Sequence, residues 1–381
     1  MTSRADGPIV LATGGTGGHV FPAQALARAL MGRGYRLVLV TDRRGSAYSG
    51  LLGDLETYRI SAAGISGRGL TARISAVFQL GLGWLQARRL LKQLRPRAVA
   101  GFGGYPSVPT VVAASQLHCN TIIHEQNAVL GRANRMLAPY AARIATSFDR
   151  TDMLRDRDQA RAVHTGNPVR PEIIEAATPY RMPEGDDPIE ILVTGGSQGA
   201  AIFNEIIPPA LASLPDALCG RLRVTQQCRG DGLALVQAVY RKAGIQAELA
   251  PFFSDIPARL ARAHLVIGRS GASTVAELAA MGRPAIMIPY PHATDNHQRE
   301  NAARLCDAGG GWLIPQEDAT SEALSALIRS VLESPDKAGR AAECARRVGV
   351  TDAAERLADL VCELIGDNAH MKQEQPKEIT A

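Results

Sequence analysis

The chain has 381 residues, 46% of them apolar and 21% charged, with a net charge of +5. That length and balance exclude a disordered or fibrous protein and leave room for two or three separate cores. No apolar run reaches the ~18 residues of a spanning helix, and the six scattered cysteines show no CxxC spacing, so reduced thiols in a cytosolic protein are the plain reading.

The N-terminus passes directly into a strand pattern, so no secretory leader is expected. Apolar runs at 9–13, 36–41, 98–102, 121–124 and 143–146 alternate with helical patterns such as 21–31 and 106–117. Such alternation predicts a parallel sheet covered on both faces. A proline-rich stretch at 166–188 reads as a linker, after which strands are predicted at 189–194, 222–226, 265–268, 285–289 and 312–314. Helices are predicted between them at about 201–214, 272–281 and 295–307. The expected division is 1–168, 169–350, a C-terminal helix at 351–367 that can pack back on the first domain, and a flexible tail at 368–381.

Charge divides along the same line. Residues 1–170 hold 22 Lys+Arg against 9 Asp+Glu, and the remainder holds 20 against 28. A half at +13 joined to one at −8 predicts that the first half faces an anionic partner, whether nucleic acid, membrane surface or polyanionic substrate. The stretch 74–97 sets Ile74, Val77, Phe78, Leu80, Leu82, Trp84 and Leu85 beside Arg88, Arg89, Lys92, Arg95 and Arg97. This pattern suits an anionic bilayer interface, or else a core helix with a solvated basic face.

Three glycine loops carry the chemical signal: GGTGGH at 14–19, GFGGYPS at 101–107 and GGSQGA at 195–200. The first and third lie between an apolar run and a helical pattern, where backbone N–H groups and the helix dipole favour phosphate or sugar oxygens. Asp42 sits where a dinucleotide's ribose acid belongs, but the GxGxxG spacing fails because its third position is Val20. No cofactor is therefore expected. His19 closes the first loop, either as a general base or as a residue that caps and packs the turn. His124, Glu125, Gln126 and Asn127 end a strand on the ligand-binding edge, some to tie loops and some to touch substrate.

In the second half, Ala272, Ser273, Thr274, Val275, Ala276 and Glu277 open a helix after a strand, offering N–H groups to a diphosphate and a carboxylate to ribose hydroxyls. Asp295 reads as an N-cap that places Gln298 and Asn301 on one helical face, where amides suit sugar hydroxyls. Arg170 in the linker is placed to meet phosphate charge. His292 and His297 lack a credible ligand set. The one Asp-x-Asp, Asp156 to Asp158, reads as a solvated charge cluster, so no metal is expected.

Taken in order, GGTGGHVFPA, GGYPS, HEQN, GNPVR, GGSQGA, RSGASTVAEL and the segment with Asp295, Gln298 and Asn301 resemble the bacterial peptidoglycan N-acetylglucosaminyltransferases of glycosyltransferase family 28. The resemblance spans about residues 8–365. It implies the α/β glycosyltransferase-B fold, two Rossmann-like lobes with parallel sheets facing a central cleft, the acceptor on the N-terminal lobe and the donor mainly on the C-terminal lobe. It implies transfer of N-acetylglucosamine from UDP-N-acetylglucosamine to undecaprenyl-pyrophosphoryl-muramoyl-pentapeptide, with no nucleic acid partner. The enzyme would sit at the cytoplasmic face of the inner membrane, bound through about 74–97. By match of motif, donor contacts fall on Thr16, Gly17, Gly18, Asn127, Arg170, Ser197, Phe253, the six residues from Ala272 to Glu277, and Gln298, with His19 the candidate base. A UDP-N-acetylglucosamine 2-epimerase and a non-catalytic membrane-bound nucleotide-sugar sensor are the alternatives.

Overall fold

The computed structural model describes residues 7–14, 17–42, 50–62, 70–196 and 199–367. The chain divides into two units, residues 1–168 together with 352–381, and residues 169–351.

The first unit is built on seven parallel strands, β1 (Ile9–Ala12), β2 (Leu37–Thr41), β3 (Glu56–Arg59), β4 (Ala98–Gly101), β5 (Asn120–Glu125), β6 (Arg143–Thr146) and β7 (Ala162–His164). They lie in the order β3-β2-β1-β4-β5-β6-β7, with Ile9 paired to Leu37 on one side and Ala98 on the other. Strands β1 and β4 at the middle of the sheet carry no polar side chain because both faces are covered. Ile9, Leu11, Leu39 and Ala100 face the helices Gly17–Gly32 and Ala353–Leu364, while Val10, Val38, Val99 and Ile123 face Leu70–Leu94 and Ser107–Gln116.

The helix Ala353–Leu364 returns to this unit through both oil and charge. Leu357, Leu360 and Val361 join the core of Leu26 and Leu30, each such burial stabilising by roughly 1.5–3 kcal/mol. Arg33 reaches Glu355 and Asp359 at 2.5 and 2.6 Å, and Tyr35 donates to Asp367 at 2.8 Å.

The second unit repeats the plan with six parallel strands, β8 (Ile189–Thr194), β9 (Leu222–Gln227), β10 (Gln246–Ala250), β11 (Leu265–Gly268), β12 (Ala285–Met287) and β13 (Gly311–Leu313), in the order β10-β9-β8-β11-β12-β13. Its core gathers Ile189, Ile191 and Val193 with Phe203, Ile207, Tyr240 and Ile328.

Strands β3, β7 and β10 escaped the sequence reading. All three lie at or beside a sheet edge, where they are largely exposed or half-buried and lack an apolar run. The first helix begins at Gly17, four residues before the predicted start, because two glycines carry no helical signal yet fold into its first turn.

Candidate functional site

In each sheet, chain order reverses once at the middle, between β1 and β4 in the first unit and between β8 and β11 in the second. Loops leaving the two strands there diverge to opposite faces, and the crevice beyond their carboxyl ends is the ligand position of open α/β sheets. The glycine motifs fall at these points: 14–19 follows β1, 101–107 leaves β4, 195–200 follows β8, and 269–271 follows β11.

In the first unit, Gly17 and Gly18 open the helix Gly17–Gly32 and His19 stands half-buried in its first turn. Thr16 lies outside the described residues. His19 Nδ1 is 2.8 Å from Gln126 Oε1. The Gln126 amide nitrogen donates to the carbonyls of Phe102 and His124 at 3.1 and 3.0 Å and lies 3.0 Å from His124 Nδ1. His124 Nε2 in turn is 3.1 Å from the Gly166 carbonyl. Full burial pushes the His124 imidazole down to about 4, so it is neutral. Gly103, at φ +81°, closes the far side of His19: a Cβ there would stand 3.2 Å from its Cε1, so only glycine combines this backbone with this contact.

Glu125 is 1% exposed and its carboxylate is fully engaged. One oxygen accepts from the backbone N–H and side-chain amide of Asn127 at 3.0 and 3.1 Å. The other accepts from the Gly131 N–H and the Asn134 amide, both at 2.8 Å. Glu125 is thus the post to which the 125–134 loop is tied, and it fixes Asn127. Gln126 and Asn134, which the sequence reading left without roles of their own, are buried parts of this network. The signal for Gln126 was polarity immediately after a strand; Asn134, within the helix Arg132–Leu137, had none.

In the second unit, β11 leads through Arg269, Ser270 and Gly271 into the helix Ala272–Met281. Gly271 occupies the N-cap with no side-chain cap, so the first-turn N–H groups of Ala272, Ser273 and Thr274 are not closed by a capping side chain. Ser273 Oγ is buried with no hydrogen-bond partner among the described residues. Val275 turns into the core and its N–H bonds Gly271 O at 3.0 Å, so it holds the turn. Ala276 is half-buried.

Arg170 donates through Nε and Nη2 to one oxygen of Glu277, at 3.1 and 2.9 Å. The second oxygen has no hydrogen-bond partner among the described residues. Burial pushes the Glu277 carboxyl up, against the opposing pull of Arg170.

Around this helix start, Ser270 Oγ donates to the Gln298 carbonyl at 2.7 Å and the Asn301 amide donates to Ser270 O at 3.1 Å. Gln298 Oε1 accepts from the Tyr290 N–H at 3.0 Å, which fixes its amide and leaves the NH2 end for another acceptor. Asn301 is fully buried, so it ties the loop and does not join Gln298 on an open face. Asp295 is not the N-cap. It lies at φ 52° in the turn Thr294–Asn296, and the helix starts at His297 after Asn296 at φ 56°. Aspartate and asparagine adopt this left-handed backbone more readily than other side chains.

Arg269 was missed by the sequence reading. Its buried guanidinium donates to Ile288 O, Pro289 O and Gln316 Oε1 at 2.9, 3.0 and 2.6 Å, and it lies over the Phe203 and Tyr290 rings. It pins the segment after β12 beside the helix start, and a charge directly after an apolar strand was its signal. Phe253, 7% exposed, packs 4.2 Å under the Arg259 guanidinium between β10 and the helix Ile256–Arg262. Ser197 lies outside the described residues.

The Asp-x-Asp is not a solvated cluster as expected: Asp158 is 1% exposed and held by Arg155, at 2.7 Å, and by Arg161. Among the described residues no group of three His, Cys, Asp or Glu side chains is placed to hold a metal.

The helix Leu70–Leu94 exposes Val77 (61%), Phe78 (73%), Leu82 and Leu85. Trp84 instead packs against the Val38 and Val99 core and donates to Gln116 at 2.9 Å. The side chain of Ile74 lies outside the described residues. No helix among the described residues is long and apolar enough to cross a membrane.

Residues 9–146 match the N-terminal domain of glycosyltransferase family 28, and residues 190–357 match its C-terminal domain. The chain is similar to the UDP-N-acetylglucosamine–N-acetylmuramyl-(pentapeptide) pyrophosphoryl-undecaprenol N-acetylglucosamine transferase of Paramagnetospirillum magneticum, 55% identical over 94% of this chain and 96% of that protein. The protein of the same name from Rhodospirillum centenum is 54% identical over 93% of each. Among solved structures, MurG of Acinetobacter baumannii superposes with a TM-score of 0.78 at 31% identity, covering 94% of this chain and 99% of that one.

Proposed function

The chain belongs to glycosyltransferase family 28, and from that premise we propose that it moves N-acetylglucosamine from UDP-N-acetylglucosamine to undecaprenyl-pyrophosphoryl-N-acetylmuramoyl-pentapeptide in peptidoglycan synthesis. The observation that carries this reading is the start of the helix Ala272–Met281, where uncapped N–H groups, the orphaned Ser273 Oγ and the half-engaged Glu277 carboxylate meet at the switch point of the second sheet.

The diphosphate of the donor lies against the N–H groups of Ala272, Ser273 and Thr274. Glu277, steadied by Arg170, accepts from ribose hydroxyls, and the Gln298 NH2 donates to a sugar oxygen. The backbone around Phe253 receives the uracil, and Ser197 contributes from the third glycine loop. In the first unit, the N–H groups beginning with Thr16, Gly17 and Gly18, and the Asn127 amide, are offered to phosphate or sugar oxygens.

The acceptor's 4-hydroxyl attacks the anomeric carbon from the face opposite UDP and inverts the α-linked donor to a β(1→4) product. The bond to the diphosphate breaks as the new bond forms, and UDP leaves with the electron pair. Positive charge gathers on the sugar and negative charge on the diphosphate, which the helix N-terminus and Arg170 stabilise in place. His19 takes the proton from the hydroxyl. Val77, Phe78, Leu82 and Leu85, with Arg88, Arg89 and Lys92 along the same helix, dock the enzyme as a peripheral protein on the anionic cytoplasmic face of the inner membrane, where the lipid acceptor resides.

The test is purified protein with radiolabelled UDP-N-acetylglucosamine and a short-chain lipid-linked muramoyl-pentapeptide, in chelator. Acceptor-dependent label in the lipid product is expected. Epimerised sugar or UDP released without acceptor would replace the transferase by an epimerase, and no turnover would leave only a nucleotide-sugar binder.

A further inference from the structure

We infer that Gln126 and His124 act as positioning residues that fix the tautomer of His19, with its proton on Nδ1 and its lone pair on Nε2. This inference rests on the reading of His19 as the transferase's base and supplies what that reading lacks, a reason why the ring presents an acceptor and not a donor to the substrate.

One end of this hydrogen-bond chain has no choice of direction. The Gly166 carbonyl can only accept, so His124 Nε2, 3.1 Å away, carries a hydrogen. His124 is neutral through burial, so its Nδ1 is bare and accepts. The Gln126 amide faces two backbone carbonyls, Phe102 O and His124 O, together with that bare nitrogen. Turned the other way, its oxygen would oppose two oxygens and a lone pair, so the NH2 group is fixed inward. Gln126 Oε1 is thereby turned to His19 and can only accept, which places a hydrogen on His19 Nδ1 at 2.8 Å. In the neutral imidazole the other nitrogen, Nε2, is then the acceptor, and it has no partner among the described residues.

Packing holds the ring in the plane that this bond requires. Gly103 backs onto Cε1 and Nδ1, and Thr13 Oγ1 donates to the His19 carbonyl at 3.2 Å. The members of the chain come from four places at the carboxyl end of the first sheet. The loops after β1 and β4 give His19 and Phe102, β5 and its end give His124 and Gln126, and the turn after β7 gives Gly166. During transfer, the hydroxyl proton passes to His19 Nε2 as the glycosidic bond forms, and Gln126 Oε1 stays bonded to Nδ1–H of the imidazolium. The proton then leaves to water.

The test needs no turnover. Protein labelled with 15N-histidine is examined by long-range proton–nitrogen correlation at about pH 9, above the usual histidine range, with the His19 signals assigned by their loss in His19→Ala. The wild type is expected to show the Nδ1–H pattern at His19. The isosteric Gln126→Met, which conserves volume, is expected to show mixed or Nε2–H signals at that residue. The same variant should lose about 10- to 100-fold in kcat with KM for the donor within about threefold, as loss of an oriented base requires. An Nε2–H pattern in the wild type would overturn the inference even if Gln126→Met failed to fold, and so would an unchanged His19 pattern in a folded Gln126→Met. A wild type that shows the Nδ1–H pattern but transfers no sugar would instead remove the proposed function and leave the tautomer assignment standing.

Discussion

The two units share a sheet plan and differ in how they finish it. At the switch point of the first, three side chains are consumed by their neighbours, while Asn134 Oδ1 is left without a partner among the described residues: Glu125 accepts four hydrogen bonds, and Gln126 and His124 are both 1–2% exposed and tied to backbone carbonyls. At the switch point of the second, groups are left short of partners among the described residues: an uncapped helix, the Ser273 Oγ, one oxygen of Glu277, and the NH2 of Gln298. The first arrangement builds a frame around His19. The second keeps donors and acceptors in reserve for a ligand that completes them. Substitutions in the first cluster should therefore act on stability or on the chemical step, and those in the second on donor affinity.

The largest effect is expected at His19. His19→Ala should lower kcat by about 10²-fold or more at saturating substrates while leaving the melting temperature nearly unchanged; an unaltered kcat would remove it as the base. Next in size is Glu125→Ala, which removes the acceptor of four buried or part-buried hydrogen bonds and should cost about 3–5 kcal/mol in denaturant unfolding. A loss under about 1 kcal/mol would mean that the loop holds itself without the carboxylate.

The pH dependence of stability sharpens the contrast. The folded His124 titrates at about 4 against 6.5 for the free side chain, so the unfolded chain binds the proton first. Its contribution is complete above pH 6.5 and is lost as pH falls toward 4, by about 3 kcal/mol. Denaturation at several pH values, repeated on His124→Phe, should show that part of the slope vanish. In the second cluster, Glu277→Gln should raise the donor KM by about tenfold, the scale of one charge-assisted hydrogen bond, with stability changed by under about 1 kcal/mol. A large stability loss with unchanged KM would make Glu277 part of the frame instead.

The smallest effect on the fold is expected at Phe78, which is 73% exposed. Phe78→Glu should leave stability within about 0.5 kcal/mol and reduce sedimentation with anionic vesicles. Trp84 is a poorer probe than its sequence suggested, because it is bonded to Gln116 and packed on the core.

Much of this was legible beforehand, for identifiable reasons. Strands buried on both faces read as largely apolar runs, so β1, β2, β4, β8 and β11 stood out, and glycine motifs marked the carboxyl ends of all of these but β2. The helix Ala272–Met281 was read to the residue, because small residues follow its strand and Gly282 stops it in a left-handed turn. Asp295 misled because an acid before a helical pattern looks like a cap, whereas the turn at 294–296 displaced the helix start by two residues.

The sequence by itself determined two parallel sheets, the places where their loops could hold a ligand, and a first half of net positive charge, because burial and turn geometry are written in local patterns. The tertiary structure alone decided which polar groups are spent and which are kept. Gln126 meets a histidine 107 positions away, Arg170 meets a carboxylate 107 positions on, and Arg33 meets Asp359 across 326. Each of these pairings depends on strand order and register, which bring distant side chains within hydrogen-bond reach and which no local pattern encodes.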